Sequence, residues 1–255
     1  MKALTAALHV ELRKSLASRV MRTTTALIVI GIAVLASALV GAASARNEQI
    51  LAQLGPLAAA SGWSLLTGVT AQITAVGALL AFGIALSWTF GREFTEGTIA
   101  GLFALRVSRP TIALAKLLIH LGWVLLVAAI LTLLVLAAGG ILGMGIVDGP
   151  VLAQLGRQFI LTVLSGLLAT PAAWVATLGR GLLAGIATTL VVLIAAQVSV
   201  IAAPTVAGWL PLSSPALWAL QPDTVHGWQL ASVAVIPIAF GALTANAWTR
   251  LQLDR

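Results

Sequence analysis

Apolar residues fall into six long runs, at about 24–44, 66–90, 112–138, 159–178, 181–203 and 230–248, each bounded by short polar or glycine- and proline-bearing stretches. A helix needs about 20 mostly apolar residues to cross a bilayer, so the pattern predicts an all-α membrane protein with six transmembrane helices. Ahead of the first run, Leu4, Leu8, Leu12, Leu16 and Val20 recur every fourth residue, with His9, Arg13, Lys14 and Arg19 among them. That spacing predicts an amphipathic helix over residues 1–22, lying in the membrane interface before the chain turns inward. The first run is too long for a cleavable signal, and so is the segment before it. Residues 23–250 then form a single transmembrane domain, followed by a short tail at 251–255. Between the last two runs, residues 204–228 hold Pro204, Pro211, Pro215 and Pro222 with Trp209, Trp218 and Trp228. Proline stops helices and tryptophan favours the headgroup region, so this stretch reads as a re-entrant or interfacial piece rather than a seventh span. Pro171 and Pro237 are expected to kink their helices. No internal repeat and no soluble domain is visible.

Composition sharpens this picture. Hydrophobic residues make up 60% of the chain and charged ones only 8%, against about 25% charged in soluble domains. No water-facing surface can be built from that set. Cysteine is absent, which removes disulfides, thiolate nucleophiles and cysteine metal sites. His9, His120 and His226 are scattered and read as tolerated polar residues, since a metal site needs several converging ligands. The net charge of +7 is unevenly spread. With six spans, twelve of the 14 Lys and Arg residues, Arg106 and Arg255 among them, fall on one side, leaving Arg46 and Arg157 on the other. Basic residues stay cytoplasmic, so both termini are expected inside. Basicity here reports topology and attraction to membrane lipid, not nucleic acid.

The spans as delimited hold no Asp or Glu, and Lys116, one turn from His120, sits where a lysine can snorkel to the interface. Self-powered transporters rely on buried carboxylates or broken helices, so that class is disfavoured. The phosphate-binding loop G-x-x-x-x-G-K-[ST] is missing, as are H-E-x-x-H and G-x-S-x-G, and the chain is expected to be non-catalytic. Thr67, Thr70, Thr74, Gly77, Ala81, Ala85 and Trp88 share one helical face of the second run, and Gly181, Gly185, Thr188, Val192, Ala195, Ser199 and Ala202 share one of the fifth. Such faces either pack helices closely through small residues or form a weakly polar wall of a translocation path, with Thr67, Thr70, Thr74, Thr188 and Ser199 as its lining.

The densest polar feature is the island 91–116, GREFTEGTIAGLFALRVSRPTIALAK, with Arg92, Glu93, Glu96, Arg106, Arg109 and Lys116 around an apolar middle of Ile99, Leu102, Phe103 and Leu105. It reads as a helical docking element or as a solvated charged loop. The order E-[FY]-x-x-G-T, leucines, V-S-R and then a lysine entering a span resembles the permease subunits of ABC-2 type transporters. The residues carrying it are Glu93, Phe94, Gly97, Thr98, Leu102, Val107, Ser108, Arg109 and Lys116, with an N-terminal E-x-x-K at Glu11 and Lys14. Arg106 departs from the proline that many relatives place before V-S-R.

The resemblance implies a half-transporter in the plasma membrane of a bacterial cell. Two permease subunits, identical or different, would pair, and two copies of a cytoplasmic ABC ATPase would bind ATP and Mg. Residues 91–111 would be the coupling helix, with Arg92, Glu93, Phe94, Glu96, Gly97, Thr98, Phe103 and Arg109 as its ATPase contacts. Glu93 and Glu96 are expected in its first turn, where the helix dipole favours acids, with Phe94, Ile99, Leu102 and Phe103 as an apolar anchor. The cargo would be an amphipathic or lipophilic molecule such as a drug, a peptide antibiotic or a lipid-linked compound. The competing readings are a stand-alone secondary transporter or channel and a non-transport membrane scaffold.

Overall fold

A computed structural model of the chain describes residues 2–104 and 107–252. Leu105, Arg106 and Arg255, which entered the reading above, lie outside the described residues. Six helices among those described are long and apolar enough to cross a membrane: Arg19–Ser44, Gly62–Thr95, Arg109–Ile141, Gly149–Leu178, Leu182–Ala202 and Gly227–Arg250. They are spans one to six below.

The N-terminal helix, Lys2–Ala17, stops because Ser18 turns extended and caps span one, its Oγ accepting from the Met21 N–H at 3.2 Å. Its amphipathic stripe sits differently from the expectation. Ala7 and Glu11 are buried, whereas Leu12 and Leu16 are exposed. The carboxylate turns in against span three because charged partners wait there, and the leucines are left for the surroundings. Span one contains a π-helical turn at Leu27–Gly31. Span four breaks at Thr170: Pro171 has no N–H to continue the ladder, and Thr170 supplies both its N–H (3.2 Å) and its hydroxyl (2.8 Å) to the Leu167 carbonyl instead. In span six a 3-10 turn, Ser232–Ala234, precedes Pro237. Span four also starts at Gly149, earlier than its apolar run, with Asp148 as its cap. That places Arg157 inside the helix, about two turns from its start.

Span two is the centre, contacted by spans one, three, four and five and by the short helix Ser214–Leu220. Its pairing with span five runs antiparallel in one register: Gly83 faces Thr189, Ser87 faces Gly185, and Gly91 faces Gly181 and Leu182. Side chains are minimal along this seam because the backbones meet. A Cβ on Gly91 would stand 2.6 Å from the Leu182 nitrogen. Helices in lipid gain little by hiding apolar surface, so close approach of this kind holds them together. The segment 204–228 folds into short helices, Pro204–Ala207 and Ser214–Leu220, each with a proline in its first turn. Arg157 reaches from span four to the terminal carbonyls of the second, donating to Trp218 O (2.8 Å) and Ala219 O (2.9 Å).

Candidate functional site: a buried charge cluster under the turn between spans two and three

The island does not form one helix. Span two runs through Arg92, Glu93 and Phe94 to Thr95, because nothing before Gly97 breaks it. Gly97 then takes φ +68°, a left-handed conformation that glycine adopts without steric cost. A five-residue helix follows at Ile99–Phe103, and span three starts at Arg109. Glu93 and Glu96 therefore sit at a helix C-terminal end, where the dipole disfavours an anion, and not in a first turn. Lys14 and Lys116 offset that cost at Glu93, and Arg92 does so at Glu96.

Lys116 Nζ lies 2.7 Å from Glu93 Oε1 and 2.8 Å from Glu11 Oε2. Lys14 Nζ lies 3.1 Å from the same Glu93 oxygen and 3.3 Å from Glu11 Oε1. The Thr98 hydroxyl donates to Glu93 Oε2, closing the turn onto the carboxylate. Exposure is 1% at Glu93, 2% at Lys116 and 4% at Glu11. Two cations and two anions cancel, which lets the cluster stand in apolar surroundings. Lys116 does not snorkel as expected; it points inward because two carboxylates meet it there. The expectation of spans without carboxylates fails at Glu93 because span two runs past its apolar stretch to Thr95. Glu11 meets ammonium groups at both oxygens, whereas Glu93 does so at Oε1 and gives Oε2 to Thr98.

Apolar packing seats the turn from the other side. Ile99 and Leu102 are buried with Phe90, Ile112 and Trp248, and Phe94 and Phe103 pack on the same cluster. Trp248 meets Phe90 edge to face at 5.9 Å and Phe103 at 6.4 Å, and its indole donates to Thr177 Oγ1 at 3.2 Å. The two phenylalanines thus have burial partners within the chain. Arg109 stacks on Phe103, 4.0 Å from the ring centroid, and donates to Leu251 O at 2.6 Å. Arg92 pairs with Glu96 at 3.3 Å and lies 4.5 Å over Trp88. What the turn leaves exposed is Thr95, Glu96, Gly97, Thr98, Ala100, Gly101 and Ala104.

The threonine faces separate. Thr67, Thr70 and Thr74 are buried within this single chain. Thr67 donates to Gln154 Oε1 at 2.9 Å, and Thr74 accepts from Gln158 Nε2 at 2.8 Å, so they join span two to span four. Thr188 and Ser199 are half-buried on span five and bond their own helix, at Ala184 O and Ala195 O. The five do not line one wall. Sequence reading missed that Glu11, Lys14, Glu93 and Lys116 converge, and missed Trp248, Gln154 and Gln158. The convergence had one signal: two rare acids and two lysines flank apolar runs, and ionisable groups at such depth pair with one another.

A family model described as "ABC-2 family transporter protein" matches residues 7–196. The match takes in the N-terminal helix from Ala7, the whole charge cluster and the turn it holds, and stops within span five. Comparison with curated proteins gives no match. With six apolar helices and three quarters of its length under that match, the chain is a multi-pass membrane protein of the ABC-2 transporter family, a permease of ABC-type transport.

Proposed function

We propose that this chain is the non-catalytic, membrane-spanning half of an ATP-driven exporter, moved by a separate ABC ATPase that grips the turn between spans two and three. The carrying observation is the ion cluster of Glu11, Lys14, Glu93 and Lys116. It ties the turn to the N-terminal helix and to span three, so a push on the turn is delivered to three elements at once. The exposed rim, Thr95, Glu96, Thr98, Ala100 and Ala104, is the ATPase contact. Glu93, Phe94, Phe103 and Arg109 act behind it by holding its shape. Both termini and the turn lie in the cytoplasm on this reading. Two permease subunits with two ATPases, which bind ATP and Mg, make the working unit. The cargo is amphipathic or lipophilic and leaves the cell.

The test separates rim from support. Ala100→Trp, on the exposed face, should abolish co-purification of the ATPase while the permease keeps its thermal stability. Glu93→Gln should retain some binding but uncouple ATP hydrolysis from transport. Full co-purification and coupled transport in Ala100→Trp and in a Glu96→Arg variant would overturn the reading.

A further inference from the structure

A groove of about 560 Å³ opens on the flank of the bundle, between the N-terminal helix, span one and span three. Leu16, Ile30 and Leu126 stand on its rim, 67%, 56% and 55% exposed. Gly122 forms part of its floor, where a Cβ would meet nothing within 4 Å. Trp123 is fixed beside it by donating to Thr25 Oγ1 at 2.8 Å. From Leu118 to Ile130 the groove follows span three for about 18 Å at the helical rise, close to the ~15 Å hydrocarbon depth of one leaflet.

Among the described residues Arg22 is the one charged side chain lining the groove, and it sits where the N-terminal helix meets span one. Two of its donors reach Ser18 O and Ala17 O, each at 3.4 Å, which is long for such bonds. Arginine carries five donors in a planar fork suited to phosphate. A cation at the mouth of an apolar slot of leaflet depth complements an anionic headgroup on an acyl chain.

We infer that this groove binds an anionic glycerophospholipid from the leaflet at the basic end of the bundle. One acyl chain lies along Gly122 and Trp123, and the phosphate rests on Arg22. A chain leaving the bilayer for the groove exchanges one apolar setting for another, so charge and not chain length sets the preference. Ser15, Met21 and Ile119 line both this groove and the small cavity beside Glu11 and Lys116. The lipid therefore braces the N-terminal helix next to the charge cluster.

The test is native mass spectrometry of the full chain in mild detergent, with palmitoyl-oleoyl phosphatidylglycerol or phosphatidylcholine added at equal concentration. The wild type should retain the glycerol lipid about fivefold better, as one basic contact at a membrane surface provides. Arg22→Gln should bring the two lipids to parity, Arg22→Lys should keep the preference, and Gly122→Leu should displace both. Equal retention by the wild type, or a preference unchanged in both Arg22→Gln and Gly122→Leu, would overturn the proposal. So would disulfide formation between copies through Leu126→Cys in native membranes. The chain has no other cysteine, so that bond would put a second copy in the groove.

Discussion

Removing the ammonium of Lys116 leaves Glu11 and Glu93 in apolar surroundings with Lys14, whose side chain is 31% exposed, as the remaining counter-ion. Breaking a buried pair from one side costs about 3–5 kcal/mol, since the orphaned charge stays buried. Lys116→Met should therefore lower stability by that amount in a thermal-shift series in detergent. Lys14→Ala should cost clearly less, because water already reaches that side chain. Equal losses would mean that the cluster is solvated. Gly97 supplies a second test at this scale. Its φ of +68° makes Gly97→Ala unfavourable by about 1 kcal/mol, and the effect should appear in the same assay without loss of helical content by circular dichroism.

Among the elements, the seam between spans two and five is the least forgiving. A Cβ on Gly185 would crowd Ser87 and come within 2.9 Å of the Ala172 carbonyl. Backbone cannot step aside as a side chain does, so Gly185→Val should destabilise by about 1–3 kcal/mol. Gly101, in the short helix below the turn, has open space around it, and Gly101→Ala should be neutral or stabilise by up to about 1 kcal/mol. Parallel melting curves of the two variants check both expectations. If Gly185→Val melts like the wild type, the two spans are not in the close register described. The short helix itself was only half legible. Its apolar residues Ile99, Leu102 and Phe103 were found, and they pack on the chain's own core around Trp248. Residues that are apolar and exposed in a sequence window give no sign of which neighbour, internal or foreign, will cover them.

For the molecule as a whole, the expected orientation is open to direct measurement. The chain is free of cysteine, so single substitutions report cleanly. Ala104 lies in the turn below span two and Gln221 in the segment before span six, and both are exposed. A membrane-impermeant maleimide added to intact cells should label Gln221→Cys at once, and Ala104→Cys only after permeabilisation. The reverse pattern would place the termini outside. The two ends of the bundle also differ in how charge is handled. At the basic end Glu11, Lys14, Glu93 and Lys116 cancel internally, whereas at the other Arg157 is satisfied by helix-end carbonyls.

Composition and periodicity determined that the chain lives in a bilayer as six helices, because 8% charged residues cannot cover a water-facing surface and each apolar run matches the bilayer in length. The turn at Gly97 was not legible in that way: residues 91–111 read as one helix, whereas the left-handed Gly97 and the bond from Thr98 to Glu93 break it. Tertiary structure decided everything that joins distant residues. Glu11 and Lys116 are 105 positions apart, and nothing local dictates that they meet. The burial of Thr67 and Thr74 against span four, the close register of spans two and five, and the placing of Trp248 under the turn belong to the same class. Local rules see spacing along a helix; only packing selects which faces touch.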